Sequence, residues 1–182
     1  YSNPLLTWNI ISQHLPTSSW DWVSICINPN ITLDIVKNNL NLPWEWYFIS
    51  RNPNITWDMI QKNPNLPWDW SGLTQNPNIT SEIILNNMDK DWSWYNICSK
   101  KNISMDLIEK IPDETEYWYI LSCNSSITAD FIEKNIDKCW EWDTLSENSS
   151  ITIDLILKFP DKPWVWRIIS NNSSVTWEIV KK

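Results

Sequence analysis

One phrase, NPNITWDMIQKNPNLPWDW at residues 52–70, returns along the chain every 24 residues. Tryptophans two residues apart mark it at Trp20/Trp22, Trp44/Trp46, Trp68/Trp70, Trp92/Trp94, Trp140/Trp142 and Trp164/Trp166, and Trp118 fills the second slot after Glu116. Threonine marks the other half at Thr32, Thr56, Thr80, Thr128, Thr152 and Thr176, with Ser104 in the same column. A period of this length means a stacked or circular array, and a unit this small cannot bury a core alone. The expectation is a single repeat array over residues 1–182, of about seven and a half units, with a continuous core built between neighbours.

Each unit reads as two short helices, so the expected fold is an all-α solenoid of α/short α or 3₁₀ pairs forming a superhelix. Thr56 is placed as the N-cap of the second helix, with Asp58 in the first turn beside the positive end of the dipole. Ile55 and Ile60 have the spacing of a hydrophobic staple. Lys62, Lys110, Lys134 and Lys158 each follow an acidic residue by four and can pair with it weakly. Met59, Ile60 and Pro64, echoed by Ile83, Ile84 and Met88, are read as a buried stripe. The first helix is placed after Asn41, Asn65, Asp89, Asp113, Asp137 or Asp161 as cap, with Pro43, Pro67 and Pro163 in its first turn. Helices this short are unstable in water, so packing between units must hold them.

The two tryptophan columns are the candidate site. Positions two apart on a helix lie about 200° apart, so both rings cannot face one side. The second column precedes an aliphatic by three residues, as Trp46 precedes Ile49, and is assigned to the core. The first column admits Glu116, which a dry slot would reject without a partner. Trp20, Trp44, Trp68, Trp92, Trp140 and Trp164 are therefore read as a partly exposed ladder and a candidate partner-binding stripe. Asp21, Glu45, Asp69 and Glu141 between the rings would favour a basic partner or a cation over an aromatic face. The competing reading is that these rings stack between units; a fully exposed ladder would be a severe aggregation liability.

Composition narrows the function classes. The chain has 16 Trp and one Gly, and its net charge of −8 disfavours nucleic acid, which needs clustered Lys and Arg. No apolar run approaches the ~20 residues that span a bilayer, so no membrane partner is expected. His14 is the only histidine and Gly72 the only glycine, which leaves His-based triads and phosphate-cradling loops without material. No catalytic residue, cofactor site or metal site is assigned, and the chain is read as non-enzymatic. The four cysteines, Cys26, Cys98, Cys123 and Cys139, share no metal-ligand spacing and read as incidental thiols of a reduced, cytoplasmic protein. Sequons at Asn30, Asn54, Asn78, Asn102, Asn124, Asn148 and Asn172 are explained more economically as turn asparagines beside the helix caps. Apolar ends (Trp8, Ile10, Ile11; Val175, Trp177, Ile179, Val180) suggest a segment of a longer array, or end-to-end stacking.

The phrase at residues 52–70 resembles the tryptophan-rich repeats of the giant DNA viruses of amoebae, the mimivirus group. The period and the NPN-x-T segment are also similar to the leucine-rich repeat variant, an α-helix and a 3₁₀ helix stacked in a right-handed superhelix, though the Trp pair departs from it. The resemblance implies an interaction or structural role, in host cytoplasm or virion. The expected function is a scaffold for protein–protein interaction or self-assembly. A glycan-binding module using the first Trp column is the alternative.

Overall fold

The computed structural model describes residues 3, 5–15 and 19–173. Among them the chain is all-helical, with no strand. The helices are α1 (Trp8–His14), α2 (Trp22–Cys26), α3 (Leu33–Lys37), α4 (Trp46–Arg51), α5 (Trp57–Lys62), α6 (Trp70–Gln75) and α7 (Ser81–Leu85). They continue as α8 (Trp94–Ser99), α9 (Met105–Ile108), α10 (Thr115–Ser122), α11 (Ala129–Lys134), α12 (Trp142–Glu147), α13 (Ile153–Lys158) and α14 (Trp166–Ile169). The chain divides into two compact units, Tyr1–Ser93 and Trp94–Lys182. In the first, α4 packs on α2 and α6; in the second, α10 packs on α8 and α12, and α12 on α14. Thr176 and the apolar residues Val175, Trp177, Ile179 and Val180 lie outside the described residues.

The odd-numbered helices from α3 onward start where the threonine column places them. The hydroxyls of Thr32, Thr56, Thr80, Ser104, Thr128 and Thr152 accept from the backbone N–H three residues on, at 3.2–3.4 Å. The even-numbered helices start later than expected, and their caps are not Asn41, Asn65, Asp89, Asp113, Asp137 or Asp161. A residue preceding proline is held out of the helical region, so Leu42, Leu66 and Lys162 fall at a bend outside any helix. The chain then makes a tight three-residue turn around Pro43, Pro67 or Pro163, with the N–H of Trp44, Trp68 or Trp164 donating two residues back at 2.7–2.8 Å. Asp91 and Cys139 occupy the same turn position, under the N–H of Trp92 and Trp140. Helices α4, α6, α8, α12 and α14 therefore open at the second Trp, with the first left outside.

Three aliphatic columns make the core. Ile25, Ile49, Leu73, Ile97, Leu121, Leu145 and Ile169 are at most 2% exposed. Ile31, Ile55, Ile79, Ile103, Ile127 and Ile151 form a second buried set, and Val36, Ile60, Ile84, Ile108, Ile132 and Ile156 a third. Each such side chain stabilises the fold by roughly 1.5–3 kcal/mol relative to exposure. The expected stripe through Pro64 and Met88 is cut short: α5 ends at Lys62 and α7 at Leu85, leaving Pro64 and Met88 at the surface. Of the anticipated lysine pairs, Lys62–Asp58 forms at 2.7 Å, whereas Lys158 reaches Glu133 instead of Asp154.

Buried asparagines tie segments 24 residues apart. Asn52 Nδ2 donates to the carbonyls of Cys26 (2.7 Å) and Asn28 (3.2 Å), and its Oδ1 accepts from Asn54 N–H. Asn76 repeats this on Ser50 and Asn52. Asn148 does so on Ser122 and Asn124, and Asn172 on Ser146 and Asn148. Lys100 takes the ladder position between Asn76 and Asn124, yet its carbonyl still accepts from Asn124 Nδ2. A second tie uses the hydroxyls of Ser50, Thr74, Ser122 and Ser146, which accept from the N–H nineteen residues on, at 3.0–3.2 Å. Cys26 Sγ fills that role under Glu45 N–H at 3.4 Å, which explains a thiol in a hydroxyl column.

Candidate functional site

The exposures expected for the two Trp columns are reversed. Trp44, Trp92, Trp140 and Trp164 of the first column are only 5–7% exposed, and Trp20 and Trp68 are half-buried. The helical 200° separation does not apply, because the first Trp precedes the helix. Its indole Nε1 reaches back five residues to the carbonyl of Asn39, Asn63, Asn87, Asn135 or Phe159, at 2.7–2.9 Å. Those carbonyls lie where the preceding helix has run out of N–H partners. Trp20 lacks this bond, and its Nε1 is buried without a partner. The segment before it carries one residue more than the 24-residue register.

Four of the first-column rings are also met edge-on by the second-column ring that starts the preceding even-numbered helix. Trp22–Trp44, Trp46–Trp68, Trp70–Trp92 and Trp142–Trp164 have centroids 4.9–5.6 Å apart and planes at 86–89°. The second column sits at the helix mouth and is half-buried at Trp46, Trp70, Trp94 and Trp142, and 58% exposed at Trp166. Glu116 does not mark an exposed column. There α10 begins early, at Thr115, so Glu116 lies in its first turn and faces solvent. Trp118 moves into the buried place at 7% exposure, its Nε1 donating to Asp113 Oδ1 at 2.7 Å.

The acidic residues between the rings sit at the N-caps of even-numbered helices. Asp21 accepts from Val23 N–H and Asp69 from Gly72 N–H; Glu45 and Glu141 hold the cap position without a side-chain bond. The Ser24 hydroxyl bond is the main cause that lowers the Asp21 pKa. Asp113 is lowered too, chiefly by its hydrogen bond from Lys138 and then by that from Trp118. Four of the six first-column rings, at Trp44, Trp92, Trp140 and Trp164, are too buried to offer a face to a cation or a sugar. Of the six residues in the glycan reading, Trp20 and Trp68 keep partial exposure, whereas Trp44, Trp92, Trp140 and Trp164 do not.

The sequon asparagines are structural. Asn124 and Asn148 are buried ladder members, and the Nδ2 of Asn54 and Asn78 donates to carbonyls 23 and 25 residues earlier. Attaching a glycan at those nitrogens would break the ties between segments.

What the surface does present is a groove of about 370 Å³ between α8 and α10. Tyr95 and Tyr119, in equivalent positions 24 residues apart, are 58% and 56% exposed on it. Lys100, Lys101, Ser99 and Cys123 complete its rim. Asn102, just beyond, is in the left-handed region at φ 59°, which asparagine tolerates better than most residues and which lets the chain turn sharply here. A groove of about 340 Å³ recurs two registers on, where Glu147, Ser149 and Arg167 replace Ser99, Lys101 and Tyr119.

No family model, curated protein or solved structure matches this chain.

Sequence reasoning missed the asparagine ladder and the tyrosine pair. The ladder's signal was present, since asparagine opens the turn at Asn28, Asn52, Asn76, Asn124, Asn148 and Asn172; turn propensity explained it too cheaply. The tyrosines had no periodic signal, because their column changes identity through Val23, Tyr47, Ser71, Tyr95, Tyr119, Asp143 and Arg167. Among the described residues no helix is long and apolar enough to cross a membrane.

Proposed function

We propose that this protein is a solenoid of stacked helical pairs that acts as a non-enzymatic scaffold, presenting its outer helix faces to a protein partner. The observation that carries the reading is the buried asparagine ladder. It spaces consecutive segments by one 24-residue register, and each amide serves a carbonyl at the end of the preceding segment's helix, at Cys26, Ser50 or Ser122. Such ties make each helical pair depend on its neighbours, which is the energetic signature of a stacked array. The shared buried polar groups go into this stacking, and the exposed aromatic groups stand on the outer faces at Tyr95, Tyr119 and Trp166. Exposed aromatics on a rigid frame are efficient interface anchors.

Structural self-assembly is the variant of this reading in which the partner is another copy. Either variant is in keeping with the resemblance of residues 52–70 to giant-virus repeats, with host cytoplasm or virion as the proposed setting. The intact chain, immobilised and used for pull-down with mass spectrometry, is compared with light scattering over a rising concentration series. A monomer that captures a stoichiometric protein partner supports the scaffold, and mass that grows with concentration supports self-assembly. A monomer that captures nothing overturns both.

A further inference from the structure

The groove between α8 and α10 stands apart in charge from the rest of the chain. The sequence holds 22 acidic and 14 basic residues, yet no carboxylate lines this groove, which carries Lys100 and Lys101. Beside them Tyr95 and Tyr119 present flat, amphipathic rings with few rotatable bonds, the side chains that give contact area at low entropic cost. The floor is rigid: Asn124 Nδ2 donates to the carbonyls of both Cys98 (2.6 Å) and Lys100 (3.0 Å), fixing α10 against the segment that carries the lysines. A preformed, basic and aromatic recess needs little reorganisation to bind. Its volume matches a site for a few side chains. The combination is local, because two registers on the same recess carries Glu147 and Arg167 in place of Ser99 and Tyr119.

We propose that this groove docks an acidic peptide segment of a partner protein, its apolar side chains lying on Tyr95 and Tyr119 and its carboxylates against Lys101. The inference rests on the scaffold reading and gives that scaffold the chemistry of its partner. Lys101 is exposed and supplies the steering charge; Lys100 is half-buried in the wall, and desolvation lowers its pKa.

The test uses the full chain and a short fluorescein-labelled peptide of alternating Glu and Leu, followed by fluorescence anisotropy. The expected result is saturable binding that weakens by about tenfold in Lys101→Glu and again in Tyr119→Ala. Both positions are exposed, so the thermal midpoint of each variant should match that of the parent. Arg167→Glu, in the equivalent groove, should leave affinity unchanged, and a Gln-for-Glu peptide should bind at least about tenfold more weakly. Equal binding by Lys101→Glu, equal binding of the Gln peptide, or preference for a single-stranded oligonucleotide over the Glu peptide would overturn the proposal. If the groove reading alone fails, the parent and the Lys101→Glu variant capture the same partner equally in the pull-down; if the scaffold reading fails, neither captures one.

Discussion

Trp164 and Trp166 occupy one turn of sequence and opposite environments. Trp164 is 6% exposed, bonded through Nε1 to Phe159 O at 2.8 Å and wedged against Trp142. Trp164→Ala should cost about 3–5 kcal/mol in urea unfolding, whereas Trp166→Ala, at a 58% exposed position, should stay within about 1 kcal/mol. Asn52 makes the same point for a polar side chain. It is 2% exposed and serves three backbone groups; Asn52→Ala strands the Cys26 carbonyl and the Asn54 N–H, while the Asn28 carbonyl keeps its bond from Ile31 N–H. At ~1–3 kcal/mol per unsatisfied group, with partial relaxation, a loss of about 2–4 kcal/mol is expected from chemical denaturation. The cysteines divide likewise. Burial pushes Cys26 up to about 11 and Cys98 to about 12 from the ordinary 9.0, while Cys123 and Cys139 are exposed. A chromogenic disulfide reagent should therefore titrate two thiols quickly and two more only on unfolding. Because the folded thiols hold their protons longer than unfolded ones, this contribution is complete below pH 9.0 and is lost as pH rises toward 11–12. The urea midpoint should fall on that alkaline side.

Among elements, α4 and α6 approach most tightly at Gly72. A Cβ there would run into the Tyr47 carbonyl oxygen and meet Ser50 Cβ at 3.2 Å. Helix propensity alone would make Gly72→Ala stabilising by about 1 kcal/mol. The clash is with backbone and cannot be relieved by a rotamer change, so overpacking at about 1–3 kcal/mol or more should win, and the thermal midpoint should fall. The element boundaries show where sequence reading works. Threonine caps act through a single local bond, so the starts of α3, α5, α7, α11 and α13 are legible from residue order. The starts of α4, α6 and α14 hinge on a proline turn that can be read either as a first helical turn or as the break before one. That choice moves the helix by several residues and turns both tryptophans to new faces.

At the scale of the whole molecule, the proposed solenoid makes the register itself the unit of stability. Removing residues 124–147, one complete register within the second compact unit, joins Cys123 to Asn148. Asn148 would then face the carbonyls of Cys98 and Lys100 that Asn124 now serves. Such a chain should stay helical and unfold cooperatively, with a urea slope reduced in proportion to the surface removed. Removing residues 124–135 instead puts side chains of the wrong column against the core and should abolish the cooperative transition by circular dichroism. Equal outcomes for the two deletions would count against a register-dependent core.

Residue order alone was enough to establish the 24-residue period, the threonine-capped helices, the all-helical class and the aliphatic columns at Ile49, Ile55 and Ile60. Each of these depends on contacts within a few residues or on a spacing that repeats. Which tryptophan is inside, which asparagine amide bridges to the previous segment, and where a basic aromatic groove opens were decided by tertiary packing. An indole two residues from its twin differs from it only in the carbonyl and ring that a distant segment brings within reach, and no local pattern encodes that.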